Sequence, residues 1–174
     1  WSSQSEERKL DFYKWTSENS WVEDYSTFTV IREEFNMMPW WQWPKEFRLK
    51  KNKFLKSWIK KKSEEILIKK LIQWHLDKQW KDIKNFAKLC NVNLIGDLPF
   101  YVSWDSADVW SNKSLFSIFK NGTLIFQSGV PPDYFSSTGQ LWGTPTYFWS
   151  KHKNTNFYWW RNRFKRQFEL MDLL

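Results

Sequence analysis

The chain has 174 residues, 41% of them apolar, with a net charge of +8, enough for one domain with a buried core. Its longest unbroken apolar run, Phe157–Trp160, is far too short to cross a bilayer. Cys90 is the lone cysteine, which excludes an internal disulfide and fits a reducing compartment. Aromatic content is the anomaly: 15 Trp, 15 Phe and 6 Tyr make up 21% of the chain. Such rings serve either a dense core or flat surfaces that stack on sugars and nucleic acid bases.

Residues 1–5 are polar enough to fray. Helical spacing from Glu6 to Ser17 turns Leu10, Phe12, Tyr13 and Trp15 inward. A second helix is predicted from Val22 to Phe35, with Tyr25, Phe28 and Ile31 on one face. The stretch "NMMPWWQWP" (36–44) breaks it. Its two prolines predict an ordered loop whose tryptophans need something to pack on. The basic charge concentrates next, in Lys45, Arg48, Lys50, Lys51, Lys53, Lys56, Lys60, Lys61 and Lys62. These positions follow no single face and no nucleic-acid motif accompanies them, so a solvated surface is expected rather than a nucleic-acid site.

The longest helical stretch runs from 52 to 90, with a break expected near Lys62-Ser63. Leu55, Ile59, Leu67, Leu71 and Trp74 mark its first part. Leu76, Trp80, Ile83, Ala87 and Cys90 make an apolar stripe along the second. A short buried strand, Val92–Ile95, is expected to follow. Helix, turn and buried strand together read as half of an α/β repeat.

That strand opens the stretch "NLIGDLPFYVSWDSADVW" (93–110). It breaks at Gly96, and Asp97, Asp105, Ser106 and Asp108 follow within a dozen residues. Ser106 or Asp105 would cap a helical turn over 106–110. "LFSIFKNGTLIF" (115–126) reads as a hairpin turning at Asn121-Gly122. The Gly- and Pro-rich stretch 127–147 is too long for a plain connection, yet it carries Tyr134, Phe135, Trp142 and Tyr147. An ordered loop that lines or covers something is expected. A final helix is predicted from Asn154 to Asp172, with Phe157, Trp160, Phe164, Phe168 and Met171 at helical spacing. A new apolar strand is expected to begin at Leu173-Leu174. No Gly-rich phosphate loop is present. His75 and His152 lack zinc spacing, so both are read as structural and no metal or cofactor is expected.

Two blocks, "IGDLPFYVSWDSADVWSN" and "GVPPDYFSSTGQLWGTPTY", closely resemble the 4-α-glucanotransferases, or amylomaltases, of glycoside hydrolase family 77. "WTSENSWVEDYSTFTVIREEF", "WWQWP" and "IQWHLDKQW" resemble the family's helical stretch upstream, so the likeness covers nearly the whole chain. It implies an α/β fold: a fragment of a (β/α)8 TIM barrel with helical and loop insertions. On that frame residues 1–90 are a mainly helical region and 91–103 hold a barrel strand. Residues 104–153 form a loop and hairpin insertion over the active-site groove, and 154–174 a barrel helix. Such barrels bind substrate at the C-terminal ends of their strands, which is where Asp97 falls.

The resemblance also implies the chemistry: retaining transfer of α-1,4-glucan segments to a sugar 4-hydroxyl, with no cofactor. Its expected partners are α-1,4-glucans and maltooligosaccharides, with no nucleic acid and no membrane. The family's nucleophile sits in an Arg-x-Asp-His motif on the next strand, and no such motif occurs in these residues. No catalytic residue is therefore assigned, and the start and the catalytic half of the barrel are expected to be missing. The resemblance implies substrate contact by Asp97, Asp133, Tyr134, Phe135, Gln140 and Trp142. For Asp97 a role at the barrel rim, satisfied by backbone N–H groups or a neighbouring Arg, stays open. For Asp133 a cap on the Pro131-Pro132 turn stays open, and for each ring packing within the loop. Thr144 and Thr146 depart from the family's usual Asn and Leu, which puts the subsite they shape in doubt. Alternatives are an inactive glucan-binding remnant and a basic nucleic-acid binder. A cytoplasmic location is expected, or a plastid if a transit peptide precedes Trp1.

Overall fold

The computed structural model describes residue 1, residues 3–50 and residues 52–174. Lys51 of the basic run and Ser2 of the first five residues lie outside them. Helix α1 (Glu6–Glu18) starts at Ser5, whose side-chain oxygen accepts the Arg8 N–H at 3.3 Å, with Glu6 and Glu7 in the first turn. It buries Phe12 and Trp15, but Leu10 and Tyr13 face solvent, contrary to the expected pattern. The start of the chain is not frayed at Trp1, whose indole packs edge-on against Phe12 at 5.1 Å and Trp74 at 6.4 Å. Burying an indole offsets the entropy of tethering a few residues. Phe12, Trp15, Val22 and Trp74 form a small core of their own.

Helix α2 (Trp21–Glu34) buries Phe28 and Ile31, with Tyr25 half-buried. Left-handed backbone at Asn36 and Met37 then turns the chain into a 3-10 turn, Trp40–Gln42, and the short helix α3 (Lys45–Arg48). The tryptophans of this loop anchor the main core: Trp40 and Trp43 are fully buried, among Phe28, Ile31, Trp110 and Phe116. Buried indoles still need a partner for their N–H. Trp43 donates to Met38 O at 2.8 Å, Trp40 to Trp104 O at 2.8 Å and Trp110 to Phe47 O at 3.0 Å. Each bond except the first ties together segments some sixty residues apart in sequence.

Helices α4 (Asn52–Lys61) and α5 (Ser63–Leu89) meet at Lys62, where the break was expected. Within the basic run, Lys50 pairs with Asp24 at 2.6 Å, and Lys62 with Glu34 and Glu65. Leu55 and Trp74 are buried, whereas the predicted stripe further along α5 is mostly open. Leu76 and Ile83 are 53% and 51% exposed, Cys90 is exposed, and only Ala87 is buried. The reason is packing: α5 meets α1 and α2 through Ile66, Trp74 and Asp77, and the helix Tyr158–Leu170 through Trp80, whose indole N–H donates to Leu170 O at 2.8 Å, while Leu76, Ile83 and Cys90 stay largely open.

The strand expected at 92–95 is reduced to one parallel bridge, Ile95 to Leu173. Gly96 N–H donates to Leu173 O at 2.9 Å, and the Asp172 carboxylate accepts Leu94 N–H at 2.9 Å. A ladder needs successive pairs, and the described residues supply this one at each segment's edge. Ser106 caps helix α6 (Ala107–Ser111) by accepting the Val109 N–H. The Asn121-Gly122 turn forms as expected, though its arms touch only at the bridge Ile118–Leu124. Gly122 has φ +95°, and a Cβ there would lie 2.6 Å from the Trp41 side chain, so only glycine fits.

The regular sheet lies beyond it. Strand β1 (Gln127–Val130) pairs antiparallel with β2 (Gln140–Pro145), so the expected loop is a β-hairpin. Its arms are stapled by a hydrogen bond between the Ser128 and Thr144 hydroxyls. The last predicted helix is two, α7 (Trp149–Asn154) and α8 (Tyr158–Leu170), split by left-handed backbone at Asn156 and Phe157. Asn adopts that conformation cheaply, and Phe157 N–H closes the turn on His152 O at 2.8 Å. Of the five side chains at helical spacing, Trp160 is buried, while Phe157, Phe164 and Phe168 are exposed.

Candidate functional site

Three of the polar groups after the strand hold the fold. Asp105 pairs with Arg32 at 2.9 Å and accepts Trp40 N–H at 3.2 Å. Asp108 accepts the Trp159 indole N–H at 3.0 Å, and Ser106 caps α6. Asp97 differs from them. It is exposed, and it lies where the chain leaves the parallel contact with Leu173.

Four residues on, Tyr101 stacks on Tyr147 with centroids 5.9 Å apart and an interplanar angle of 8°. Tyr147 is fixed by donating its hydroxyl to Phe100 O at 2.6 Å. Burial pushes that phenol up to about 12, so it stays a neutral donor at ordinary pH. Behind it His152 is fully buried, with Nε2 donating to Leu115 O at 3.1 Å. Burial lowers the His152 pKa, with the backbone carbonyl acting the other way. His75 takes a surface contact with Arg8 at 3.2 Å.

On the open side of Tyr101 stands Trp142 from β2, edge-on at 6.0 Å and 48% exposed. Its indole N–H donates to the Gln140 side-chain oxygen at 3.1 Å, which orients both. The row of rings continues through Phe100, 5.1 Å from Tyr101, to Trp149, 6.4 Å from Phe100. Phe100 and Trp149 are also half-exposed. These rings form a half-exposed aromatic cluster whose planes lie at 63°, 86° and 45° to one another, so it offers separate ring faces of the kind that can meet the C–H faces of sugar rings. Four residues of extended chain span at most about 14 Å, which bounds the reach from Asp97 to Tyr101.

The hairpin tip builds itself around Asp133. One carboxylate oxygen accepts the Phe135 N–H at 2.9 Å and the Ser136 N–H at 2.8 Å, and Asp133 N–H donates to Ser136 O. Ser136 also binds Gly139 O through its hydroxyl, at 2.7 Å. Asp133 therefore shapes the turn that follows it, over 133–136, and not the Pro131-Pro132 turn of the capping alternative. The turn presents Tyr134 and Phe135 at 97% and 88% exposure, edge to face at 5.6 Å. Two large rings held in solvent by an ordered turn are a candidate interaction surface.

Gly139 closes the tip with φ +74°, and a Cβ there would sit 2.5 Å from Val130 O. Gly139→Ala is expected to weaken the hairpin by about 1–3 kcal/mol. Amide hydrogen exchange across β1 and β2 should accelerate by about one to two orders of magnitude, with α2 unaffected.

Of the predicted site residues, the structure brings Gln140 and Trp142 together beside Tyr101, with Asp133, Tyr134 and Phe135 further out on the same hairpin. Asp97 is linked to them only through the chain 97–101. Tyr101, Phe100 and Trp149 were not singled out from sequence. The signal for two of them was present, an aromatic pair directly after Pro99 in the stretch that carried Asp97. Among the described residues no group of three or more His, Cys, Asp or Glu is placed to hold a metal ion.

Comparison with known proteins gives the family. The sequence model of the 4-alpha-glucanotransferase family matches residues 1–174. The 4-alpha-glucanotransferase of Clostridium butyricum is 41% identical over 159 residues, 90% of this chain and 32% of the relative. That of Synechocystis is 39% identical over 159 residues, 91% of this chain and 32% of the relative. The chloroplastic/amyloplastic enzyme of Arabidopsis thaliana is 37% identical over 163 residues, 94% of this chain and 28% of the relative. Among solved structures, amylomaltase from Streptococcus agalactiae in complex with acarbose superposes with a TM-score of 0.91 at 33% identity, covering 97% of this chain and 34% of that one. The chain thus spans about a third of the length of the relatives it matches. Matched along its whole length, it belongs to the 4-alpha-glucanotransferase family.

Proposed function

We propose that this chain is the glucan-gripping part of a 4-α-glucanotransferase that breaks and re-forms α-1,4 links between glucose units. The observation that carries the reading is the hairpin β1–β2. Its self-capped tip holds Tyr134 and Phe135 in solvent, while Trp142 and Gln140 stand lower down beside Tyr101. Rings stack on pyranose faces, and the Gln140 amide, with the carboxylates of Asp97 and Asp133, takes sugar hydroxyls.

We further propose that the fold is a piece of a (β/α)8 barrel. The parallel contact Ile95–Leu173, with α8 just before its second partner, is one strand-helix-strand step of such a barrel. Residues 1–90 are then the helical region and 91–103 the strand and its exit. Residues 104–153 are the insertion over the groove, and 154–174 the barrel helix. The open apolar face of α5 and α8 is the surface on which the rest of the barrel would lie.

The reaction needs two carboxyl groups about 5–5.5 Å apart. One attacks the anomeric carbon as the glycosidic C–O bond breaks, and the other protonates the departing oxygen. An acceptor's 4-hydroxyl then attacks the same carbon, releases the first carboxylate and returns its proton to the second. We assign both groups to polypeptide beyond Leu174, so this segment alone binds without catalysing. The streptococcal relative binds acarbose, and we carry that ligand class over as α-1,4-glucans and maltooligosaccharides. We place the reaction in the cytoplasm, or in a plastid as for the relatives named chloroplastic/amyloplastic.

Incubating the full-length protein with maltotriose tests the reading. Glucose together with a ladder of longer maltooligosaccharides is expected. Glucose and maltose without longer products would mean that water is the acceptor, and would overturn it.

A further inference from the structure

A groove of about 630 Å³ lies between α2, α6 and α8, within the range of about 300–1,000 Å³ typical of ligand clefts. Its lining shares no residue with the hairpin β1–β2 or with the chain from Asp97 to Trp104. Aromatic surface faces it from two helices, Trp21 on α2 and Tyr158 with Trp159 at the start of α8. A guanidinium group lies over two of these rings, which leaves Tyr158, 63% exposed, as the ring most open to a ligand. Arg166 lies over Trp21 at 5.9 Å, and Arg163 over Trp159 at 4.8 Å.

The charges lining the groove cancel. Asp24 and Asp108 stand against Arg163 and Arg166. A phosphate would meet two carboxylates and a cation two guanidinium groups, so the lining suits a neutral ligand. Several of the lining's polar groups serve the fold: Asp24 pairs with Lys50, Asp108 accepts the Trp159 indole N–H, and Arg166 pairs with Asp77 and Glu169, but two enclosed atoms are left over. Ser111 Oγ and Arg163 Nη1 are enclosed and have no protein partner among the described residues. The exposed Asn162 adds a side-chain amide. Buried polar groups left unpaired are costly, and hydroxyl groups of a ligand relieve that cost. Flat rings, amides, carboxylates and hydroxyls with no net charge together recognise a polyhydroxylated chain.

We propose that this groove is a second carbohydrate site, one that takes a neutral oligosaccharide segment away from the hairpin surface. That the segment is an α-glucan rests on the function proposed above; that it is a neutral polyol rests on the groove itself. Such a site would hold a long glucan chain while another part of it reaches the reaction site.

The test uses the full-length protein, with Tyr158→Ala to remove an exposed ring and Asn162→Lys to fill the groove. Affinity electrophoresis in soluble starch reads polymer binding, and maltotriose disproportionation reads the reaction site. Starch affinity is expected to fall about tenfold in each variant, as loss of one stacking surface implies, while the maltotriose rate stays within about twofold. Independently of either variant's folding, benzophenone-tagged maltoheptaose should cross-link the wild-type protein at residues 20–25 and 155–167. Unchanged starch retardation in both variants, or cross-links confined to other regions, would overturn the proposal. If the wild-type protein fails to disproportionate maltotriose, the proposed function falls, and the cross-link map still decides the groove.

Discussion

Asp77→Asn will lower the midpoint of thermal unfolding by about 6–12 °C, the equivalent of about 3 kcal/mol for a chain of this size. Asp77 sits on α5 at 3% exposure, where three elements converge. It accepts the Trp15 indole N–H of α1 at 2.8 Å and pairs with Arg166 of α8 and with Lys81 at 2.9 Å. Asparagine keeps one acceptor but turns an NH2 group towards the guanidinium, leaving Arg166 with only the more exposed Glu169, at 3.2 Å, as a counter-charge. Arg166 and Lys81 keep partial access to water, so the loss falls at the lower end of the range for a broken buried pair.

Proton linkage gives this prediction a second readout. Burial pushes the Asp77 carboxyl up, and the bonds from Lys81, Arg166 and Trp15 more than offset it, so its pKa ends below the usual carboxylate range. A depressed carboxylate contributes stability above its unfolded pKa of about 3.9 and loses it as pH falls through the folded value. The gap between wild type and Asp77→Asn should therefore be full at pH 7 and shrink below about pH 4. A gap that stays constant down to pH 3 would show that the carboxylate's charge plays no part.

Replacing Tyr134 and Phe135 together by Ala will lower kcat/KM for maltotriose disproportionation by about two orders of magnitude in the full-length protein. Each stacking ring is worth about 1–3 kcal/mol where bases stack on aromatic side chains, and tenfold corresponds to about 1.4 kcal/mol. The same double variant should leave the thermal midpoint within about 2 °C, since surface substitutions away from packed features change stability little. The two rings stand almost wholly in solvent and contribute little to the core. A kcat/KM within threefold of wild type would remove the tip from the proposed substrate contact. A large fall in the midpoint would mean that the rings pack on protein instead.

The legible parts of the fold were those governed by local chemistry. Ser106 as a cap, the break at Lys62 and the Asn121-Gly122 turn each depend on a few neighbouring residues. What could not be read depended on partners remote in sequence. The stripe Leu76, Ile83 and Cys90 has the spacing of a buried face, and spacing cannot say whether anything covers it. Val92–Ile95 has the composition of a buried strand, but a strand also needs neighbours, and among the described residues it has one β-bridge. The split between α7 and α8 turns on Asn156 and Phe157 adopting positive φ, and no propensity marks Phe for that. At the candidate site, exposed rings on an ordered Gly- and Pro-rich stretch could be read from composition. The platform under Trp142 could not, because Tyr101 and Tyr147 meet only after the chain has folded.

A turn that satisfies its own hydrogen bonds has a consequence for encounter. Because Asp133, Ser136 and Gly139 fix the tip of the hairpin from within, the conformational entropy of ordering it is lost during folding and not again on contact with a ligand. A passing polymer meets two aromatic blades already set at a right angle. If the tip meets glucan as proposed above, a chain that curves between the two rings would touch both, and a straight chain only one.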